Sequence, residues 1–265
     1  MASQRLVPRP NFEDYKEQFR EYFTMERKNG IIQLRMHTND GPVVFNLRTH
    51  EALSLIWNIV GNDPENEVMI LTATGPLWLA EFEPGFHEET SKPSYQGLYE
   101  CVKMVEDIIT GIDFPTIGAI NGPGTHLDLG LLCDITLCTE DVEFFDLHFG
   151  MGVVPGDGQF LVLQEMIGNK RAAYHALIGD KIDARTALEW GLVNEIVPRD
   201  KLMDRAWELA EMIMKQPRGI RRMTAQIIRS PWKRRFLNDL RMQVSYEMYG
   251  MALHTPGIWF EDSHV

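Results

Sequence analysis

The chain has 265 residues, 44% of them hydrophobic and 24% charged, which are the proportions of a folded globular protein and exclude a disordered or fibrous one. With 38 acidic against 26 basic side chains the net charge is -12, a field that repels phosphate backbones and anionic lipid heads, so neither nucleic acid nor a membrane surface is expected as a partner. Cys101, Cys133 and Cys138 sit in apolar stretches without metal-ligand spacing and read as free core thiols of a reducing, cytoplasmic compartment.

A polar leader (1–21) lacks the apolar core of a secretory signal, and no stretch approaches the roughly 20 apolar residues that span a bilayer. Next, YFTMERKNGIIQLRMHT reads as two strands turning at Asn29-Gly30, a pair that supplies the positive φ angles of a tight hairpin. Thr49 is the expected cap of a helix reaching Asn62, and 67–73 (EVMILTA) is a buried strand. A long Gly/Pro-punctuated loop over 74–94 follows, and loops of that length are usually functional. A helix over 95–111 and strands at 115–120 (PTIGAI) and 135–139 (ITLCT) complete an alternation that implies right-handed crossovers and a mainly parallel sheet.

From Gly158 helices dominate: 158–167, 169–178 and 183–190, then a short strand in VNEIV and further helices across 200–251. The expected organisation is α/β: a leader (1–21), a core domain (22–199) and a C-terminal helical region with a tail (200–265). Between Lys215 and Arg241 stand nine basic residues and one acid, Asp239. They form either a solvated or subunit-contacting face or a site for a phosphorylated cofactor tail.

No Gly-x-Ser-x-Gly elbow, phosphate-cradling loop or complete dinucleotide fingerprint is present, so nothing supports NAD or ATP. Gly, His and Asp instead concentrate between 121 and 158. In NGPGTHLDLG, His126 lies at a helix start, where the dipole disfavours imidazolium and leaves a neutral ring able to donate to a carbonyl oxygen; a capping or packing role is the alternative. Asp128 stands in the first helical turn, where it could simply complement the dipole. In FFDLHFGMGVVPGDGQF, a carboxylate accepting the Nδ1 proton of His148 would fix its tautomer and let Nε2 take a proton from water. Asp157 is the candidate for that role, Asp146 its rival, and an N-cap at Gly158 the plain alternative for Asp157. The other histidines are scattered. His126, Asp128 and His148 together also match the two-histidine, one-carboxylate set of non-haem iron sites, although that set usually sits on β-barrels.

Over roughly 22–252 the chain resembles the crotonase (enoyl-CoA hydratase/isomerase) superfamily, on VMILTATGP, FPTIGAINGPG, Cys133-Asp134-Ile135, GMGVVPGDG and GNKRAAYHALIGDKIDARTALEWGLVNEIVP. The resemblance implies a spiral of ββα turns, with C-terminal helices that pack on a neighbouring subunit in homotrimers or dimers of trimers. The chain departs from the family where a glycine tract normally follows Asn-Gly, since Thr125-His126-Leu127 stands there, and LWLAEFEPG replaces an Ala-Gly-Ala/Gly-Asp-like segment.

Those departures resemble the 6-oxocamphor hydrolase and β-diketone hydrolase branch, which cleaves a carbon–carbon bond between two carbonyls without coenzyme A. The resemblance implies no cofactor and no metal, with His148 supported by Asp157 activating water and His126 polarising the attacked carbonyl. Asp128 and Glu247 match acidic site positions, and amides near 75–78 would join His126 in holding an oxyanion. Phe45, Trp78, Phe82 and Phe86 would line an apolar pocket for a small-molecule dione. Competing expectations are a coenzyme A hydratase, isomerase or thioesterase, and a non-catalytic binding or scaffold member.

Overall fold

A computed structural model describes residues 8–86 and 94–254. Strands β1 (Phe23–Lys28) and β2 (Ile31–Met36) form the expected hairpin, turned by Asn29 (φ 52°) and Gly30 (φ 83°). A short β3 (Val43–Phe45) leads into helix α2 (Leu47–Asn62), preceded in the chain by α1 (Phe12–Gln18). The cap of α2 is Asn46, whose side chain accepts the Thr49 amide at 2.9 Å, three residues before the cap expected. Strand β4 (Val68–Ala73) is buried along its whole length.

The stretch expected as loop contains a strand, β5 (Leu79–Phe82), which pairs in parallel with β3; residues 87–93 of that stretch, with His87, lie outside the described residues. Helix α3 (Tyr95–Thr110), capped by Ser94, β6 (Thr116–Ile120), the single turn α4 (Asp128–Leu131) and β7 (Ile135–Cys138) follow. Strands β8 (Glu143–Phe144) and β9 (Ile182–Asp183) pair with each other. Helices α5 (Gln159–Ile167) and α6 (Asn169–Ile178) lie between them, and α7 (Ala184–Trp190) precedes β10 (Glu195–Ile196). The chain then runs through α8 (Leu202–Met214), α9 (Arg218–Ile228) and α10 (Ser230–His254).

The main sheet has the order β1-β2-β4-β6-β7-β10, parallel throughout except for the β1/β2 hairpin. Because strand side chains alternate between faces, each central strand feeds two cores. Val68 and Ile70 of β4 join Ile31, Ile117, Ala119 and Leu137 beneath Leu202, Ala206 and Ala210 of α8. Met69, Leu71 and Ala73 face the larger core, which contains Trp57 of α2, Val105 of α3 and Leu240 of α10. Phe12, Tyr15 and Phe19 of the polar leader are buried in the larger core, and the Tyr15 hydroxyl donates to Asp63 at 3.0 Å.

The basic stretch is largely consumed by structure. Arg221 holds the Glu67 carboxylate at 2.7 Å with Arg218 and Arg222 beside it, and Arg241 pairs with Glu106 at 2.8 Å. Arg229, 1% exposed, donates to Asp134 and to the carbonyls of Ile112 and Phe114. A site for a phosphorylated tail needs guanidinium groups turned outward together; here acids from distant strands and helices have claimed them, because an unpaired buried cation is costly.

Candidate active site

A cavity of about 390 Å³ opens between α2, α3, the β7–α5 connection and the end of α10. His126, His148, Asp157 and Glu247 line it together, so residues spread over 122 positions of sequence meet in one cleft. Apolar wall is supplied by Phe45, Phe82 and Phe86, with Met104, Met248 and Met251. Phe45 anchors this wall, with edge-on contacts to Phe82 and Phe86 and its centroid 4.9 Å from the His126 ring.

The local chain explains how the acids arrive. His148 begins the turn Phe149–Met151, and its amide donates to Asp146 Oδ1 at 2.9 Å. The same oxygen accepts from His148 Nδ1 at 2.8 Å, since a carboxylate cannot donate. Asp146, the rival, therefore holds Nδ1 in place of Asp157, the candidate for that role; Asp157 Oδ2 faces the opposite nitrogen, Nε2, at 3.5 Å, and Glu247 Oε1 faces Nε2 at 3.8 Å. Asp157 also stays close to the helix-start role weighed for it, accepting the backbone amide of Gln159 at 3.1 Å and its side-chain amide at 2.9 Å. The residue capping α5 is Gly158, at φ 111°. Gly156 allows this loop to touch α10: a Cβ there would lie 2.2 Å from the Gln243 carbonyl oxygen and 2.8 Å from Glu247 Cβ. That close approach is what sets Asp157 beside Glu247.

Burial alone would push the His148 imidazole down, but Asp157, Asp146 and Glu247 outweigh it and raise its pKa to about 10. Burial, reinforced by the charge of Asp157, raises Glu247 to about 8, and its Oε2 is buried without a hydrogen-bond partner. Burial works against the charge of Asp157 too, yet the two imidazoles keep that carboxyl below its usual range.

His126 differs from expectation. It sits at φ 48°, outside a four-residue α4, too short a helix to exert much dipole, and Leu127 occupies the capping position. Its Nδ1 lies 3.5 Å from Asp128 Oδ1 and 3.8 Å from Asp157 Oδ2. Burial disfavours the charged ring, but these carboxylates prevail and raise its pKa, which shifts the balance toward the imidazolium. Asp128 does not line the cavity; both its oxygens are buried behind His126 without hydrogen bonds, and burial raises its pKa. The iron-type set of His126, Asp128 and His148 therefore does not converge.

Trp78 is likewise not a wall residue. It is fully buried, and its indole Nε1 donates to the His126 carbonyl at 3.0 Å, fixing the backbone that carries the imidazole. Residues 75–78 do not line the cavity, and the Trp78 amide is occupied by the Pro123 carbonyl at 2.9 Å. Thr125-His126, in place of glycine, is what the chain presents to the cleft.

A second polar group on the wall carries no signal in the sequence. His50 Nδ1 is bonded to Glu100 Oε2 at 3.2 Å, and Nε2 faces Cys101 Sγ at 3.5 Å. Burial raises the Cys101 thiol well above its ordinary pKa, so it remains a thiol that can donate to His50. Only the packing of α2 on α3 joins these residues.

Residues 26–249 match the family model described as Enoyl-CoA hydratase/isomerase. A carnitinyl-CoA dehydratase of Salmonella agona (strain SL483) is 29% identical over 212 residues, covering 73% of this chain and 75% of that protein. A mitochondrial enoyl-CoA hydratase of Pongo abelii is 27% identical over 224 residues, covering 80% and 74%. Among solved structures, a beta-diketone hydrolase from the cyanobacterium Anabaena sp. PCC 7120, bound to (S)-3-oxocyclohexyl acetic acid, is 30% identical with a TM-score of 0.86, over 93% of this chain and 98% of that one. An enoyl-CoA hydratase/isomerase from Mycobacterium paratuberculosis shares the fold at 23% identity and a TM-score of 0.81, over 87% and 94%.

Proposed function

The chain belongs to the enoyl-CoA hydratase/isomerase family, and within it we propose a cofactor-independent hydrolase that cleaves the carbon–carbon bond of a 1,3-diketone. The observation that carries this reading is the convergence of His126, His148, Asp157 and Glu247 on one cavity whose remaining wall is aromatic and thioether. The Anabaena relative supports it: the compound bound there has a ketone and a carboxylic acid in one molecule, the two groups that hydrolytic opening of a cyclic 1,3-dione leaves.

In the reaction, water held at Nε2 of His148 loses a proton to that nitrogen and adds its oxygen to one carbonyl of the dione. The tetrahedral oxyanion collapses, the bond to the carbon between the carbonyls breaks, and the electron pair passes into the second carbonyl as an enolate. The proton taken from water returns to that carbon. The second ketone of the substrate is the electron sink, so no cofactor is required.

Asp146 keeps the His148 ring oriented with Nε2 toward the cavity. His126 donates to the oxyanion, and its raised pKa suits this, because a charged donor makes a stronger bond to an anion than a neutral one. Removing one such donor elsewhere costs about 3–4 kcal/mol of barrier. Asp128 is a positioning residue behind His126. Assembly as homotrimers or dimers of trimers belongs to the same proposal, with exposed Met223, Ile227, Leu237 and Tyr246 of α9 and α10 as contact residues.

A second reading, a coenzyme A thioester hydratase, has the curated relatives in its favour. Incubating the protein with cyclic 1,3-diones and, separately, with enoyl and acyl thioesters distinguishes them. The proposal expects loss of dione absorbance and no thioester turnover; the reverse pattern overturns it.

A further inference from the structure

We infer that His148, Asp157 and Glu247 form a binding site for a divalent transition-metal ion of the zinc type. Their ligating atoms lie within 4.8 Å of one another, with Nε2 of His148 3.5 Å from Asp157 Oδ2 and 3.8 Å from Glu247 Oε1. Zinc bound tetrahedrally at 2.0–2.1 Å needs ligand pairs about 3.3 Å apart. Closing the site therefore takes movements of an ångström or so, within the reach of the Glu247 side chain on α10.

Three further features separate this cluster from a chance gathering of acids. The Nδ1 nitrogen of His148 is bonded to Asp146 at 2.8 Å, the carboxylate–imidazole pairing that orients metal-bound histidines and strengthens them as ligands. Asp157 is held by two hydrogen bonds from Gln159. Glu247, 6% exposed and lining the cavity, turns Oε1 toward His148 Nε2 and has in Oε2 a buried oxygen with no hydrogen-bond partner among the described residues. Among the described residues no other group of three or more such side chains converges in this way.

One imidazole and two carboxylates suit zinc, cobalt or nickel better than calcium or magnesium, which favour all-oxygen shells. The fourth position would open on the cavity. Metal at Nε2 would occupy the lone pair that the hydrolytic reaction uses to accept a proton, so binding and dione hydrolysis exclude each other. The site itself does not depend on what the substrate is.

Calorimetric titration of the chelator-treated full chain with Zn²⁺ alone tests this without any substrate. One saturable site per chain is expected, weakened at least tenfold in His148→Ala and in the near-isosteric Glu247→Gln, with folding of each variant checked by circular dichroism. Asp146→Asn, which leaves all three ligands in place, should weaken binding about 10- to 100-fold through loss of orientation. Absence of saturable binding to the wild type, or unchanged affinity in the folded variants, overturns the inference.

Discussion

His148 Nδ1 lies 2.8 Å from Asp146 Oδ1, while Nε2 on the far side of the ring faces Asp157 Oδ2 at 3.5 Å. The acid two residues away in sequence orients the imidazole, and the acid nine residues away helps form the surface on which water would sit. Asp146→Asn should leave the fold intact and lower kcat on a dione by about 10²–10⁴-fold, because the amide can no longer select the tautomer. Steady-state kinetics of the variant beside His148→Ala measures this; an Asp146→Asn enzyme with wild-type kcat would remove Asp146 from the mechanism.

A base with a pKa near 10 is protonated at neutral pH. Water activation by His148 then requires the minor neutral form, whose population grows tenfold per pH unit below that value. kcat/KM for dione cleavage should rise from pH 7 towards about 10. Glu247 is one of the carboxylates that raise His148, so Glu247→Gln should move this limb to lower pH. A limb that stays in place, or a flat profile in the wild type, contradicts the electrostatic account.

His126 combines a left-handed backbone at φ 48° with a hydrogen bond from the Trp78 indole to its carbonyl. Trp78→Phe keeps most of the apolar volume but removes that donor, leaving the His126 carbonyl with only the Leu129 amide at 3.2 Å. It should cost about 0.5–1.5 kcal/mol of stability in chemical denaturation, the net worth of one hydrogen bond, with a drop in kcat through displacement of the imidazole. His126→Ala should lower kcat more, by about 10²–10³-fold, as expected for loss of one oxyanion donor.

Arg229 joins α9 to the sheet through Asp134, at 2.5 Å, and through the carbonyls that precede β6. Arg229→Ala strands a buried carboxylate, which costs about 3–5 kcal/mol. Thermal unfolding should show a Tm lower by on the order of 10 °C for a chain of this length. A Tm within two degrees of the wild type would mean that Asp134 finds solvent or another donor.

Much of the frame could be read from the residues themselves. The Asn29-Gly30 turn, the apolar runs of β4 and β6 and the Ser94-to-Gly111 helix each carry their own local signal, in turn chemistry, side-chain period or caps. Strand β5 does not, because four residues pairing with a three-residue partner are too few for a period to emerge. In the candidate site the Gly, His and Asp cluster was legible, and so was the rivalry of Asp146 and Asp157. Which acid takes which nitrogen depends on the turn at Phe149–Met151, and spacing does not encode that. His50 and Glu100 meet only through helix packing, and the partners of the basic stretch lie more than a hundred residues upstream in the cases of Glu67 and Glu106. Trp78, expected on the cavity wall, and Asp128, matched to an acidic site position by resemblance, both stand one layer behind the wall, next to His126.

Turnover of a cyclic 1,3-dione in oxygen-18 water, followed by mass spectrometry of the product acid, tests water addition at His148 most directly. The wild type should yield a keto acid carrying one solvent oxygen in its carboxyl group, and His148→Ala should lower the rate of its formation by orders of magnitude. An unlabelled acid, or labelled acid formed by His148→Ala at the wild-type rate, would contradict the mechanism.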